Sequence, residues 1–149
     1  MSKHAAVPFA ATLHVRDTCL CLHVQRAARA LARHFDDELR PVDLTNGQFS
    51  VLMALNRPAP PTMGTVATLL AMDRTTLTAA LKVLERRLLI TITPDPADRR
   101  SRLVALTDAG MASLGRALPI WTRTHDALDK RLDEPGPEAL RGALHAIAG

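Results

Sequence analysis

The sequence predicts a mainly α-helical chain with one small β element, and three observations carry that reading. Segment after segment repeats apolar residues at three- and four-residue spacing, the period of a half-buried helix. Several of these segments begin at a residue able to cap a helix, among them Thr45, Thr62, Asp73 and Thr107. Only two stretches, "LLITIT" (88–93) and "RLVALT" (102–107), mix β-branched residues and leucine as strands do.

The first helix is expected over residues 11–39. Leu13, Leu20, Val24, Ala27, Leu31 and Phe35 set its stripe, and Pro41 ends it. Thr45-Asn46-Gly47-Gln48 has the form of a capping box and opens a second helix, with Phe49, Leu52, Met53 and Leu55 inward. "NRPAPP" is a loop, because its prolines cannot continue a helix. Thr62 caps a short third helix from Met63 to about Leu70, and Asp73 caps a fourth reaching about Arg87.

On that fourth helix Leu77, Leu81 and Leu84 share one side. Thr78, Lys82 and Thr75 fall at about 100°, 140° and 160° from Leu77, with Arg86 at about 180°. One face packs inward and the other carries hydroxyls and cations. A short helix, a tight turn and a second helix with a polar outer face is the helix-turn-helix plan.

The two strands read as a hairpin whose connection, 94–101, is a long loop with arginines at its tip. Thr107 then caps a fifth helix. Its Met111, Leu114, Leu118, Trp121, His125, Leu128 and Leu132 form a seam of coiled-coil spacing, and Pro119 is expected to kink it near Gly115. After "DEPGP", Pro137 begins a last helix with Leu140, Leu144 and Ile147 inward. The apolar stripes at the two ends are expected to bury against a second copy, giving a homodimer.

Length and composition set the class. The chain of 149 residues is 47% hydrophobic and 23% charged, enough for one domain with a real core. No apolar run approaches the roughly 18 residues of a membrane helix. "MSKHAAVPFAAT" has no apolar export segment, so a cytoplasmic protein with free thiols and no membrane partner is expected. The net charge is +4. Between Asp73 and Arg102 stand Arg74, Lys82, Arg86, Arg87, Arg99, Arg100 and Arg102 against Asp73, Glu85, Asp95 and Asp98. That segment carries most of the excess charge, an electrostatic footprint for a polyanion. Crowding Arg99, Arg100 and Arg102 onto one turn sets like charges against each other, which makes sense only if something negative meets them.

"LTNGQFSVLMAL", "MDRTTLTAALKVLERR" and "DPADRRSRLVALTDAG" together resemble the MarR family of winged helix-turn-helix transcriptional regulators, over nearly the whole chain from about Cys21. The last segment contains the family's D-x-R wing signature followed by L-T-x-x-G. The resemblance implies a winged helix-turn-helix DNA-binding lobe over 41–107 and a helical dimerisation region made of 1–40 and 108–149. It implies a repressor that binds a palindromic double-stranded operator and releases it on binding a small aromatic or phenolic inducer.

Residue by residue, Arg74, Thr75, Thr76, Thr78 and Lys82 match the base- and phosphate-facing positions. Arg99 or Arg100 would enter the minor groove, with Asp98 bracing the wing by an ion pair. Leu20, Val24, Phe49, Met53 and Trp121 are the candidate pocket lining. The chain departs from the family at Leu88, where glycine is usual at a position suited to left-handed geometry.

Cys21 matches the reactive cysteine of the family's organic hydroperoxide sensors, which gives a thiol-based alternative. The tyrosines that activate that thiol are missing, since the chain has no tyrosine and Gln25 stands where one is expected. Leu20, Leu22 and Val24 beside Cys21 predict a buried thiol kept protonated and slow to oxidise. Cys19 and His23 make at most half of a metal site, and neither metal nor cofactor is expected. No phosphate-cradling glycine loop, nucleophile elbow or H-E-x-x-H stretch occurs, so an enzyme is not expected. A nonspecific nucleic-acid-binding protein is the alternative of another class.

Overall fold

The computed structural model describes residues 4–149. In order it contains α1 (Phe9–Thr18), α2 (Leu20–Leu39), a 3-10 turn (Arg40–Val42), α3 (Asn46–Leu55), α4 (Met63–Leu69), α5 (Arg74–Arg86), β1 (Ile90–Asp95), β2 (Asp98–Leu106), α6 (Asp108–Lys130) and α7 (Pro137–Ala148). It divides into two compact units, one ending at His34 and one from Phe35 to Gly149.

In the first unit the single helix expected over 11–39 is two helices. Cys19 is extended, with φ −69° and ψ 108°. Its Sγ accepts a hydrogen bond from the Leu22 amide at 3.4 Å, and its carbonyl accepts from the His23 amide at 3.1 Å. Cys19 therefore acts as the N-cap of α2. On the other side, the Thr18 hydroxyl donates to the His14 carbonyl at 2.7 Å. Asp17 and Thr18 are residues whose side chains compete for backbone groups, which favours a helix end there. One extended residue barely disturbs the apolar spacing, so the pattern alone could not show the break.

The second unit holds the core. Leu39, Val51, Leu52, Val66, Leu77, Leu81, Leu84 and Val104 are fully enclosed. Thr45 and Gln48 form the expected capping box, with the Gln48 amide on Thr45 Oγ1 at 3.1 Å and the Thr45 amide on Gln48 Oε1 at 3.0 Å. Met53, expected inward with the rest of α3, is exposed. Helix α6 runs unbroken through Pro119. Helix α7 buries none of its residues, so Leu140, Leu144 and Ile147 do not face a core of this chain as expected.

The hairpin is longer than its sequence suggested. Residues 94–101 are mostly strand, not loop, and the connection is the short turn at Pro96-Ala97. Ile90 pairs with Leu106 and the register holds to Pro94 opposite Arg102. Asp95 then pairs with Asp98, so Arg99, Arg100 and Ser101 have no opposite number on β1. Pro94 has no N–H for the ladder, which suits a bulge at that point. Thr62 bridges Leu103, and the Val104 amide donates to the Pro61 carbonyl at 3.0 Å. The proline loop thus lends a short third edge to the hairpin.

A compact knot joins α5, the hairpin and α6. The Thr107 hydroxyl donates to the Leu88 carbonyl at 2.7 Å and accepts from the Gly110 amide at 3.0 Å. A Cβ at Gly110 would sit 2.0 Å from the Leu89 carbonyl oxygen. Glycine is required there so that α6 can lie directly on the backbone leading into β1.

Candidate nucleic-acid interface

The helix-turn-helix is built by capping at both sides of its turn. At the end of α4 the Met72 amide donates to the Ala67 carbonyl at 2.9 Å and the Ala71 amide to the Thr68 carbonyl at 3.2 Å. This is a Schellman closure with Ala71 in the left-handed region at φ 49°. Asp73 then opens α5 and accepts the Thr76 amide on Oδ2 at 3.0 Å and the Thr76 hydroxyl on Oδ1. Those two bonds, the hydroxyl first, hold the Asp73 carboxyl below its ordinary pKa.

Leu77, Leu81 and Leu84 fix which way α5 faces, because all three are fully buried. Arg74, Thr75, Thr78, Ala79 and Lys82 are left on the opposite side, bordering a shallow groove of about 400 Å³. The structure thus brings together four of the five helix residues singled out in the sequence. Thr76 is the exception, since its hydroxyl closes the cap. Thr78 donates its hydroxyl proton to the Arg74 carbonyl at 2.7 Å. Ala79, four residues after Thr75, borders the same groove and is not among the residues singled out in the sequence.

Helix α5 ends as it began, with a specific closure. The Leu89 amide donates to the Leu84 carbonyl at 3.1 Å and the Leu88 amide to the Glu85 carbonyl at 2.9 Å, a second Schellman closure. Leu88 is held at φ 61° with its side chain exposed. The left-handed geometry expected at this position is kept without the glycine that usually supplies it.

The wing presents Arg99, Arg100 and Arg102 to solvent. Among the described residues none of the three makes an ion pair. Asp98, expected to brace the wing by such a pair, accepts the backbone amide of Arg100 at 3.0 Å instead. Asp95 accepts the Ala97 amide in the same manner at 2.9 Å. Acidic side chains folded onto the turn's own amides stiffen it, and among the described residues they form no ion pair with the guanidinium groups.

Elsewhere in the second unit, Phe49, Met53 and Trp121 line a cleft of about 430 Å³ with Ala54, Leu69, Leu118 and Arg57 among their neighbours. The Trp121 ring stacks on Phe49 at 6.1 Å and on His125 at 4.7 Å. Leu20 and Val24, the other two residues expected in a pocket, lie on the first unit with 71% and 38% of their surface exposed. Cys21 is exposed, not buried as its apolar neighbours suggested, and Gln25 Nε2 approaches its sulfur at 3.3 Å. Among the described residues no group of three His, Cys, Asp or Glu could hold a metal ion, and no helix is long and apolar enough to cross a membrane.

Comparison with known proteins matches the MarR family over residues 42–101, which include α3, α4, α5 and most of the hairpin. The chain is 33% identical over 94 residues to the HTH-type transcriptional repressor NicR of Pseudomonas putida, covering 61% of this chain and 60% of NicR. It is 33% identical over 140 residues to the HTH-type transcriptional regulator TtmR of Methylorubrum extorquens, covering 89% of this chain and 71% of TtmR. Its fold superposes on the transcriptional repressor CouR bound to a 23-mer DNA duplex, with a TM-score of 0.80 and 33% identity. That match covers 97% of this chain and 100% of CouR. These relatives are transcriptional regulators rather than enzymes. The chain therefore belongs to the MarR family of winged helix-turn-helix transcription regulators.

Proposed function

We propose that this regulator acts as a homodimeric, cytoplasmic repressor on a near-palindromic operator and releases it when a small aromatic or phenolic molecule enters the cleft beside Trp121. The observation that carries the DNA-binding part is the pairing of the outward face of α5 with a wing whose arginines make no ion pair among the described residues. In this reading α5 enters the major groove while Arg99 or Arg100 enters the adjacent minor groove. Arg74, Thr75, Thr78 and Lys82 contact bases and phosphates, and Thr76 holds the helix start in place for them.

The division of labour follows: residues 41–107 bind DNA, and 1–40 with 108–149 form the dimer. Uncovered apolar side chains support the second part. Phe9, Val15, Leu20 and Leu31 in the first unit and Leu144 and Ile147 on α7 are all exposed in the protomer. Such surface is covered in oligomers. A dimer sets two recognition helices about 34 Å apart for successive major grooves.

The cleft supports the inducer reading, since it joins apolar walls and an aromatic face to one cation, Arg57. Footprinting on the DNA upstream of the chain's own gene tests the whole. One short protected palindrome, lost when a binding aromatic compound is added, is the expected result. Equal protection of unrelated duplex would leave only a nonspecific nucleic-acid-binding protein. Trp121 is the only tryptophan, so its fluorescence reports occupancy of the cleft directly.

The exposure of Cys21 favours a second switch, oxidation of its thiol by organic hydroperoxide. Rapid operator release in the parent and none in Cys21→Ser would select that reading over the cleft.

A further inference from the structure

We infer that Ala79, together with the γ-methyl of Thr78, reads the 5-methyl group of a thymine in the major groove, so that each operator half carries thymine at one fixed position. The inference rests on the assignment of α5 as the recognition helix and adds what that helix recognises.

The hydrogen-bonding groups of α5 define it by elimination. Thr76 donates its hydroxyl proton to Asp73, within the helix cap. Thr78 donates its own to the Arg74 carbonyl at 2.7 Å and has no second proton to give to a base. Ala79 carries no polar atom. At position 79 the exposed stripe therefore offers only hydrocarbon, while Arg74 and Thr75 stand before it and Lys82 after it along the same groove. Positions 75, 78, 79 and 82 are spaced three and four apart, so they form one continuous row.

Thymine is the one base that presents a methyl group in the major groove, and alanine and the threonine methyl are its usual apolar contacts. Cytosine set against Ala79 would turn its amino donor toward that methyl group, which offers it no acceptor in place of the water it loses. Alanine is also small, so the helix backbone can approach the base edge closely. Arg74 and Lys82, at the two ends of the row, are placed for guanine or phosphate and leave the central position to the methyl contact.

Thymine-to-uracil replacement tests this, because it removes the methyl group and keeps every hydrogen-bonding atom. The full-length chain selects duplexes from a random-sequence pool, and each thymine of the selected site is then replaced in turn. Affinities are read by fluorescence anisotropy at one salt concentration. One position per half-site should lose about fourfold in affinity, the size expected for a single buried methyl. Ala79→Gly, which removes only the β-carbon at an exposed position, should still bind but show a smaller uracil penalty there, the γ-methyl of Thr78 being left. Lys82→Ala should weaken all duplexes alike and keep the penalty. Selected sites without a fixed thymine, thymines that uracil replaces at no cost, or a penalty undiminished in Ala79→Gly would overturn the proposal. A chain that holds random duplex as tightly as the selected site would overturn the recognition-helix reading itself.

Discussion

Three residues show how single side chains set this interface. Leu88 occupies left-handed backbone at φ 61° and leaves its side chain exposed. Glycine would relieve a steric cost of about 1–2 kcal/mol, partly offset by its greater freedom when unfolded. Leu88→Gly should therefore raise stability by up to about 1 kcal/mol in chemical denaturation. Gly110 is the reverse case, because a Cβ there meets the Leu89 carbonyl oxygen at 2.0 Å. Gly110→Ala should destabilise by about 1–3 kcal/mol or more, and a melting temperature equal to the parent's would refute the close approach. Asp73 makes the third case. Its folded pKa is lowered by the Thr76 hydroxyl and amide, so the cap stabilises the fold above the unfolded carboxyl pKa of about 3.9. That contribution disappears as pH falls through the folded value. Asp73→Ala should melt below the parent at neutral pH, with the gap closing in acid. A gap unchanged at low pH would mean that the ionised carboxylate is not what caps α5.

At the scale of elements, the wing is stiffened from within and charged without. Its turn is held by the Asp95 and Asp98 carboxylates on backbone amides, and a bulge isolates Arg99 and Arg100 from the ladder. Neither arginine contributes to the core. Arg99→Ala and Arg100→Ala should each weaken operator binding by about 1–3 kcal/mol at fixed salt, with melting temperature unchanged. Gel-shift titrations as tight as the parent's for both variants would refute the assignment of the wing. The helix-turn-helix was legible in sequence because its signals are local: Asp73 before α5, three leucines on one side and hydroxyls on the other. The true length of the hairpin was not. "PDPADRR" contains turn residues throughout, and only pairing across the strands decides where a turn actually falls.

For the molecule as a whole, the unanswered surface lies at the chain's ends. Leu144 and Ile147 are 42% and 65% exposed, and α7 buries nothing. In the dimer reading they are covered by the second copy. Leu144→Glu with Ile147→Glu should leave the protomer folded by circular dichroism and shift light scattering from dimer to monomer. Specific operator binding should fall with it, since one protomer reaches one half-site. A double variant that stays dimeric would remove α7 from the interface.

The sequence by itself determined the order of the helices from α3 onward, the caps Thr45, Thr62, Asp73 and Thr107, the inward row on α5, the concentration of arginine near the hairpin and the unusual leucine at 88. Each depends on neighbours within about one or two turns, where spacing translates directly into direction. Tertiary structure decided the rest. Thr76 belongs to the cap, and Asp98 holds an amide rather than a guanidinium. Cys21 is exposed, and Phe49, Met53 and Trp121 border a cleft within the second unit. A periodic stripe tells which side of a helix is apolar but not what covers it. Partners for a hydroxyl or carboxylate depend on which backbone groups the fold has left open nearby.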